Sequence, residues 1–390
     1  MIFIGKRFYT RQSLIIVSVF AVLLAFSLKS NAAEPLEKSF FSEALGAEKA
    51  YRIALPPDYD ENPEKRYPVV YLLHGYNFVR NREDYFESKA SEQEEQNHWP
   101  VQEQAGQVTH CLFTMANFDE LLKCLTEKEV EYPEAVVNAL KGQYPNVVLP
   151  LPPMIIVMPD GDSSFYINRA DGKKQKPPLD GPEFVGGIRN GATGQYETYI
   201  VRDLVAHIDE TYRTIADRDR RGVGGFSMGG IGSMNLLLGN PDVFSSVTSL
   251  SAVYTLTKYF SDPISLSGMK TAAPELIELV AENPESNVPR LNEEFMKKFD
   301  PSQRLKNLEQ TDVHIYYDAG EKDYFSGWRN FESFEKFDKM LEKKGLISHP
   351  ENHVIPGTEI NGKGMHKPAY WRSRLGVMLA FHAKVFGLIQ

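Results

Sequence analysis

Short apolar runs alternate along this chain with longer segments of helical period. The runs at 69–73, 154–158, 222–226, 247–250, 313–317 and 353–355 are apolar, aromatic or glycine at almost every position. That is the pattern of strands covered on both faces. An earlier run at 50–55 predicts one further strand, antiparallel to the rest. Between the runs, the spacing predicts helices over 198–212, 229–238, 330–344 and 372–386. Strand and helix in alternation predict an α/β fold, a mostly parallel central sheet with helices on both faces.

Three stretches exceed what such a core needs: 77–153, 163–195 and 254–312. They read as insertions into one domain spanning 49–390, with 33–48 as an extension ahead of it. In open α/β sheets ligands bind beyond the carboxyl ends of the strands, so these insertions are expected to shape a pocket there.

Residues 1–32 read as a leader that does not belong to the fold. Lys6, Arg7 and Arg11 precede an apolar run from Ser13 to Leu28, and Ser30-Asn31-Ala32 supplies small residues at a cleavage site. The run is shorter than the ~20 residues that span a bilayer comfortably. The expectation is therefore a periplasmic or secreted protein without stable membrane insertion after cleavage, the alternative being an uncleaved N-terminal anchor. Removing Lys6, Arg7, Arg11 and Lys29 would move the net charge from −9 to −13. A surface that acidic gives no electrostatic case for nucleic acid or anionic lipid. Cys111 and Cys124 are the two cysteines. Asn117 followed by Glu120 marks a helix start near Phe118, which leaves Cys111 free to fold back onto Cys124. A bridge and two buried thiols both remain open.

The chemistry concentrates at Gly225-Phe226-Ser227-Met228-Gly229. A strand enters this stretch and a helix leaves it, and the glycines allow a bend sharp enough to project the Ser227 hydroxyl. The pattern alone is weak, and a glycine-rich turn with an incidental serine would match it. Its partners lie elsewhere in the chain. Upstream, the strand at 69–73 ends in His74-Gly75-Tyr76, which suits a loop donating an N–H to an oxyanion. Downstream, the strand at 313–317 delivers acidic residues just past its end, and His366 follows in the loop Gly362-Lys363-Gly364-Met365-His366. Serine, acid, histidine is the order of α/β-hydrolases.

With these stretches in place the chain resembles the esterase D-like α/β-hydrolases, which include S-formylglutathione hydrolases, feruloyl esterases and mycolyltransferases. The resemblance runs from Lys49 to the end. It rests on Tyr71-Leu72-Leu73-His74-Gly75, on 155–166, on Gln195-Tyr196-Glu197-Thr198-Tyr199, on Gly225-Phe226-Ser227-Met228-Gly229-Gly230 and on 364–371. It implies Ser227 as nucleophile, His366 as base, and the N–H groups of Met228 and Tyr76 as oxyanion hole. A Gly-x-x-Asp pattern in the feruloyl esterase branch selects Asp323 as the acid, and the mycolyltransferase branch keeps Glu321 and Glu332 as alternatives. His74 is expected to matter through its backbone, and Asp160 to cap the turn after its strand.

Phe165, Tyr166, Trp328 and Trp371 cluster near these motifs and are candidate substrate contacts, since aromatic faces stack on sugars and aryl acids. In a chain with 12% aromatic residues, ordinary packing explains them as well. The function expected is an exported serine esterase acting on a small-molecule or carbohydrate-linked ester through an acyl-enzyme. That chemistry needs no metal or organic cofactor. The alternatives are acyl transfer to a sugar hydroxyl and, less favoured, a silent carbohydrate-binding protein.

Overall fold

The computed structural model describes residues 35–76, 99–169, 172, 194–272, 276–277, 280–284, 286–350 and 352–390. The leader at 1–32 and most of the 163–195 insertion lie outside the described residues. Among the described residues nine strands form one sheet: β1 (Leu36–Ser42), β2 (Ala47–Ala54), β3 (Val69–Leu73), β4 (Ile155–Pro159), β5 (Arg221–Phe226), β6 (Ser246–Leu250), β7 (His314–Gly320), β8 (Ser348–His349) and β9 (Val354–Ile355). Their order is β1-β2-β4-β3-β5-β6-β7-β8, with β9 also on β7. The pairings β1/β2 and β2/β4 are antiparallel, and those from β4 to β9 are parallel.

Residues 36–42, which the sequence pattern places in an extension ahead of the domain, form the edge strand β1. Its residues are mostly exposed, so no alternation of apolar and polar positions announces it. The central strands behave as their apolar runs require. Along β3, Val69, Tyr71 and Leu73 enter one core cluster while Val70 and Leu72 enter the other. Successive strand side chains point to opposite faces, so a strand buried on both sides must be apolar throughout.

The helices are α1 (Trp99–Thr114), α2 (Phe118–Glu127) and α3 (Pro133–Gln143), then α4, which runs from Tyr196 to Thr211 with a π-helical stretch at Tyr199–Leu204. They continue as α5 (Met228–Gly239), α6 (Leu256–Phe260), α7 (Pro263–Ala272), α8 (Glu293–Lys297), α9 (Pro301–Asn307), α10 (Glu332–Lys343) and α11 (Pro368–Val385). None among the described residues is long and apolar enough to cross a membrane.

Helix α11 is buried nearly all round, because the first insertion forms a second layer over it: α1 and α3 pack on its outer side. Asn117 caps α2 by accepting from the Asp119 and Glu120 N–H groups. The turn before α2 folds the chain back, and Cys111 and Cys124 form a disulfide with 5.8 Å between Cα atoms. Of the two cysteine readings the bridge is the one observed. Closing so short a loop restricts the unfolded chain by ~3 kcal/mol.

Helix α11 also carries His382, fully buried against the sheet. Ser246 Oγ lies 2.8 Å from its Nδ1 and Thr248 Oγ1 3.1 Å from its Nε2. Burial drives this imidazole down to about 3, from an ordinary value of 6.5. The folded-state value is depressed, so between pH 6.5 and about 3 the unfolded chain takes up a proton that the fold refuses. Stability should fall through that window by about 1.4 kcal/mol per pH unit and level off above it. Urea midpoints measured at several pH values should show the His382→Gln variant flatter by about one proton. An equal slope in both proteins would remove His382 as the cause.

Candidate active site

The parallel strands bring their carboxyl ends into line. Leu73 pairs with Gly225, Phe226 with Leu250, and Leu250 with Asp318. At this edge β5 turns directly into α5 through Ser227, whose backbone sits at φ 54° and ψ −119°. A non-glycine residue there is strained, and the turn holds it by donating the Ser227 N–H to the Leu250 carbonyl at 2.9 Å. The flanking glycines are dictated by contact. A Cβ on Gly225 would lie 2.5 Å from the Gly229 carbonyl oxygen, and one on Gly229 would lie 2.6 Å from the His74 carbonyl oxygen. Any side chain at either position would push α5 off the end of β3. Ser227 is buried, 6% exposed.

His366 reaches the serine from a loop built on positive φ at Gly362, Lys363 and Gly364. The Lys322 N–H donates to the Gly364 carbonyl at 2.9 Å, which ties this loop to the one after β7. His366 Nε2 lies 2.8 Å from Ser227 Oγ, and its Nδ1 lies 2.9 Å from Asp323 Oδ2. Asp323 Oδ1 accepts the N–H groups of Phe325 and Ser326, both at 2.9 Å. Burial works to raise the Asp323 carboxyl. The neighbouring His366 ring and its hydrogen bond, with the Ser326 N–H, outweigh it and hold the group below its usual range. An ionised carboxylate, an imidazole and a hydroxyl in this order can move a proton off the serine.

Met228 opens α5, so its N–H is among those that a helix start leaves without an intrahelical acceptor. Tyr76 follows the end of β3, its ring 5.8 Å from that of Phe165. The loop between is braced by the His74 ring as well as by its backbone. Nε2 of His74 accepts the Gly161 N–H at 2.9 Å, so Nδ1 carries the proton and donates to the Gly75 carbonyl at 2.7 Å. Burial, the largest influence on this ring, keeps it neutral by lowering its pKa. Asp160 caps the next turn, accepting the Asp162 N–H at 2.9 Å, and it also pairs with buried Lys49 at 2.8 Å. Asp162 pairs with the same lysine at 2.7 Å and accepts the Tyr196 hydroxyl. Burial pushes Asp162 up to about 6, with the neighbouring charge of Asp160 adding and Lys49 opposing.

The aromatic candidates separate. Tyr166 is 1% exposed, its ring filling the space left by Gly161 and Gly232 and its hydroxyl donating to the His74 carbonyl. Phe165 is buried beside Tyr76. Trp371 is buried beneath the site, stacked on Phe226 and edge-on to His366 at 5.1 Å. All three side chains are buried, Phe165 to the same degree as Ser227. Trp328 is half-buried, 5.0 Å from Tyr259, with Arg329 over its other flank. Two side chains that sequence reasoning passed over are Tyr324, 69% exposed with its ring 5.2 Å from His366, and Phe325, at 5.6 Å. Their position directly after Asp323 was the available signal. Glu321 is exposed and nearest to Lys322, while Glu332 pairs with Lys258 and Lys336. Neither makes a contact with His366. Among the described residues no group of three or more His, Cys, Asp or Glu is arranged to hold a metal.

Fold and site together define an α/β-hydrolase of the serine esterase class. The chain belongs to the Esterase family, described as "Putative esterase", whose model matches residues 42–124 and 148–382. It is 32% identical over 125 residues to an esterase of Mycobacterium tuberculosis, covering 32% of this chain and 24% of that protein. It is 23% identical over 228 residues to an endo-1,4-beta-xylanase/feruloyl esterase of Xylanibacter ruminicola, covering 58% of this chain and 22% of that one. The chain thus spans about a quarter of the length of these relatives. A solved ferulic acid esterase shares the fold, with TM-score 0.52 and 21% identity over 91% of this chain and 98% of that one.

Ser227→Ala should abolish turnover of p-nitrophenyl acetate and leave the fold intact, since alanine keeps the Cβ and the backbone bonds of the turn and removes a single hydroxyl. Asp323→Asn should lose on the order of 10³–10⁴ in kcat through the wrong imidazole tautomer. Glu321→Gln and Glu332→Gln, measured on the same ester, should stay near wild type. A crippled glutamate variant beside an active Asp323→Asn would reassign the acid.

Proposed function

We propose that the protein is an exported esterase in which Ser227, His366 and Asp323 act as a catalytic triad on an aryl or carbohydrate-linked ester. The observation that carries this reading is His366 placed between the other two, 2.8 Å from Ser227 Oγ and 2.9 Å from Asp323 Oδ2. Ser227 Oγ attacks the ester carbonyl as His366 Nε2 takes its proton. The N–H groups of Met228 and Tyr76 receive the oxyanion, each such donor being worth about 3 kcal/mol. Collapse breaks the bond to the alcohol, which leaves with the proton from His366. Water then attacks the acyl-enzyme and gives a proton to His366, which passes it to Ser227 Oγ as the bond to the acyl group breaks and the acid leaves. Asp323 holds the imidazole in the required tautomer and balances its charge.

The substrate side of the proposal rests on Tyr324, Phe325, Trp328 and Tyr259, an aromatic group next to the base. Flat apolar faces beside a reacting carbonyl favour aryl or sugar rings over short acyl chains. The feruloyl esterase named among the relatives agrees with that choice. On a panel of methyl hydroxycinnamates and straight-chain p-nitrophenyl esters, Tyr324→Ala and Trp328→Ala should each raise KM for the hydroxycinnamates about tenfold more than for p-nitrophenyl acetate. Equal effects on both would remove the aromatic subsite. Added sugar should leave the product a free acid, and a sugar ester would favour the transferase alternative.

Export is supported by the leader pattern at 1–32 and by a disulfide, a bond that persists in oxidising compartments. Expressed with its leader in a bacterial host, the protein should be recovered outside the cytoplasm with Ala33 as its first residue. An intact Met1 on a membrane-bound product would instead establish the anchored form.

A further inference from the structure

The N–H of Tyr76, the oxyanion donor of the mechanism above, has a direction that elementary geometry fixes. It shares one planar trans peptide with the Gly75 carbonyl, so the two point opposite ways. That carbonyl accepts the His74 Nδ1 proton at 2.7 Å, and aiming the carbonyl aims the N–H. The ring is itself held from another loop, where the Gly161 N–H reaches its Nε2 at 2.9 Å. Two further contacts join the same pair of loops. The Tyr166 hydroxyl donates to the His74 carbonyl at 3.2 Å, and the Phe165 ring lies 5.8 Å from that of Tyr76.

The loop that makes these contacts, 160–166, is strained. Asp162, Phe165 and Tyr166 sit at φ 47°, 54° and 56°, a conformation that persists only where the surroundings over-determine it. A buried ion cluster does so here. Strand β2 lies antiparallel to β4 with Tyr51 opposite Pro159, and the Asp160 N–H donates to the Ala50 carbonyl at 3.1 Å, which sets Lys49 beside the turn. Lys49 is 2% exposed, its ammonium 2.8 Å from Asp160 Oδ2 and 2.7 Å from Asp162 Oδ2, the residues on either side of Gly161. Asp160 Oδ1 closes the turn by accepting the Asp162 N–H at 2.9 Å. A cation bonded to both neighbours of Gly161 fixes the peptide between them, the one whose N–H faces His74. Stability is weak ground for such a cluster, because apolar side chains of like volume often serve a core as well as a buried ion pair. We propose that the Lys49–Asp160 pair is a positioning device for the oxyanion hole, acting through the Gly161 N–H and the His74 ring on the Tyr76 N–H. This inference rests on the mechanism proposed above, and it makes turnover depend on a lysine of β2 that belongs to neither the triad nor the hole.

Two variants test it. Lys49→Met removes the cation and keeps most of its stem, but it leaves two buried carboxylates together. Asp160→Asn keeps Lys49 paired with Asp162, and it carries the test should Lys49→Met not fold. Each should lower kcat for p-nitrophenyl acetate about tenfold, less than the loss of an oxyanion donor outright, with KM within about twofold of wild type. A trifluoromethyl ketone supplies a readout that loosened packing would not reproduce. Ser227 Oγ adds to its carbonyl carbon, the proton passes to His366, and the former carbonyl oxygen keeps the negative charge that the hole receives. Its Ki should weaken about tenfold, in step with kcat, while the acid limb of kcat/KM, set by His366, stays within about 0.3 unit of wild type. Asp160→Asn combined with His74→Gln should lose no more than His74→Gln alone, since both act on one peptide. An unweakened Ki, losses that add, or a raised KM at unchanged kcat would overturn the inference. Wild type and Ser227→Ala separate the two claims. If the ketone does not inhibit wild type, or Ser227→Ala stays active, the mechanism above fails. If the ketone inhibits and the folded variants bind it as tightly as wild type does, only the Lys49–Asp160 assignment fails.

Discussion

The close approach of the α5 start to the end of β3 is the constraint on which the rest of the site depends. Backbone meets backbone there: Gly225 faces the Gly229 carbonyl, and Gly229 faces the carbonyl oxygens of Leu73 and His74. Only residues without a Cβ permit it, and the consequences spread outward. The chain must leave β5 through a strained Ser227, which puts a hydroxyl at the edge and the first N–H groups of a helix beside it. The same contact brings the 74–76 loop alongside those N–H groups. Strain at Ser227 is offset by fixed partners, the Leu250 carbonyl among them.

A second constraint fixes the other half of the site. His366 and Asp323 sit on separate loops, yet their spacing must hold to a few tenths of an ångström. Buried Asp318 on β7 accepts Arg374 Nε at 2.8 Å and the Tyr370 hydroxyl at 2.8 Å, both from α11. Breaking such a buried pair leaves an uncompensated charge, which is strongly destabilising, so the helix after His366 cannot slide along the strand before Asp323. The first insertion, pinned by its disulfide, then covers α11 and keeps water from that pair. Its described helices thus contribute rigidity at a distance from the serine, and the expectation that the insertion shapes a pocket finds no support in them.

Much of this was legible in the chain, for a physical reason. Strands buried on both faces must be apolar at every position, so β3 to β7 could be read to within a few residues. The order of Ser227, acid and His366 followed from motifs at strand ends. Helix α11 begins at Pro368 rather than at 372, and a proline at the first helical position was the signal for that start. What could not be read was burial of the aromatics. Tyr166 and Trp371 look like ligand contacts in sequence, but Gly232 and Phe226, distant in the chain or on another strand, decide that both are packed. The Lys49, Asp160 and Asp162 cluster was hidden likewise, because its members are brought together only by β2 lying beside β4.

The resulting site has two sides of opposite character. On the side of the chemistry, Asp323, Trp371 and His74 are buried, with the Trp371 indole N–H donating to Ser251 Oγ. In such low-dielectric surroundings a satisfied hydrogen bond is strong and an orphaned one costly, so this side tolerates little change. On the other side, Tyr324, Phe325 and Trp328 follow Asp323 in one short loop, Tyr324 exposed and the other two half-buried. The loop is anchored at its root by the two N–H groups on Asp323 and is free to vary at its tip. Residues one position apart thus serve different ends: Asp323 is fixed by every bond it makes, and Tyr324 is exposed because nothing in the fold requires its ring. A family can keep the first and exchange the second, which is how one reaction comes to serve many esters.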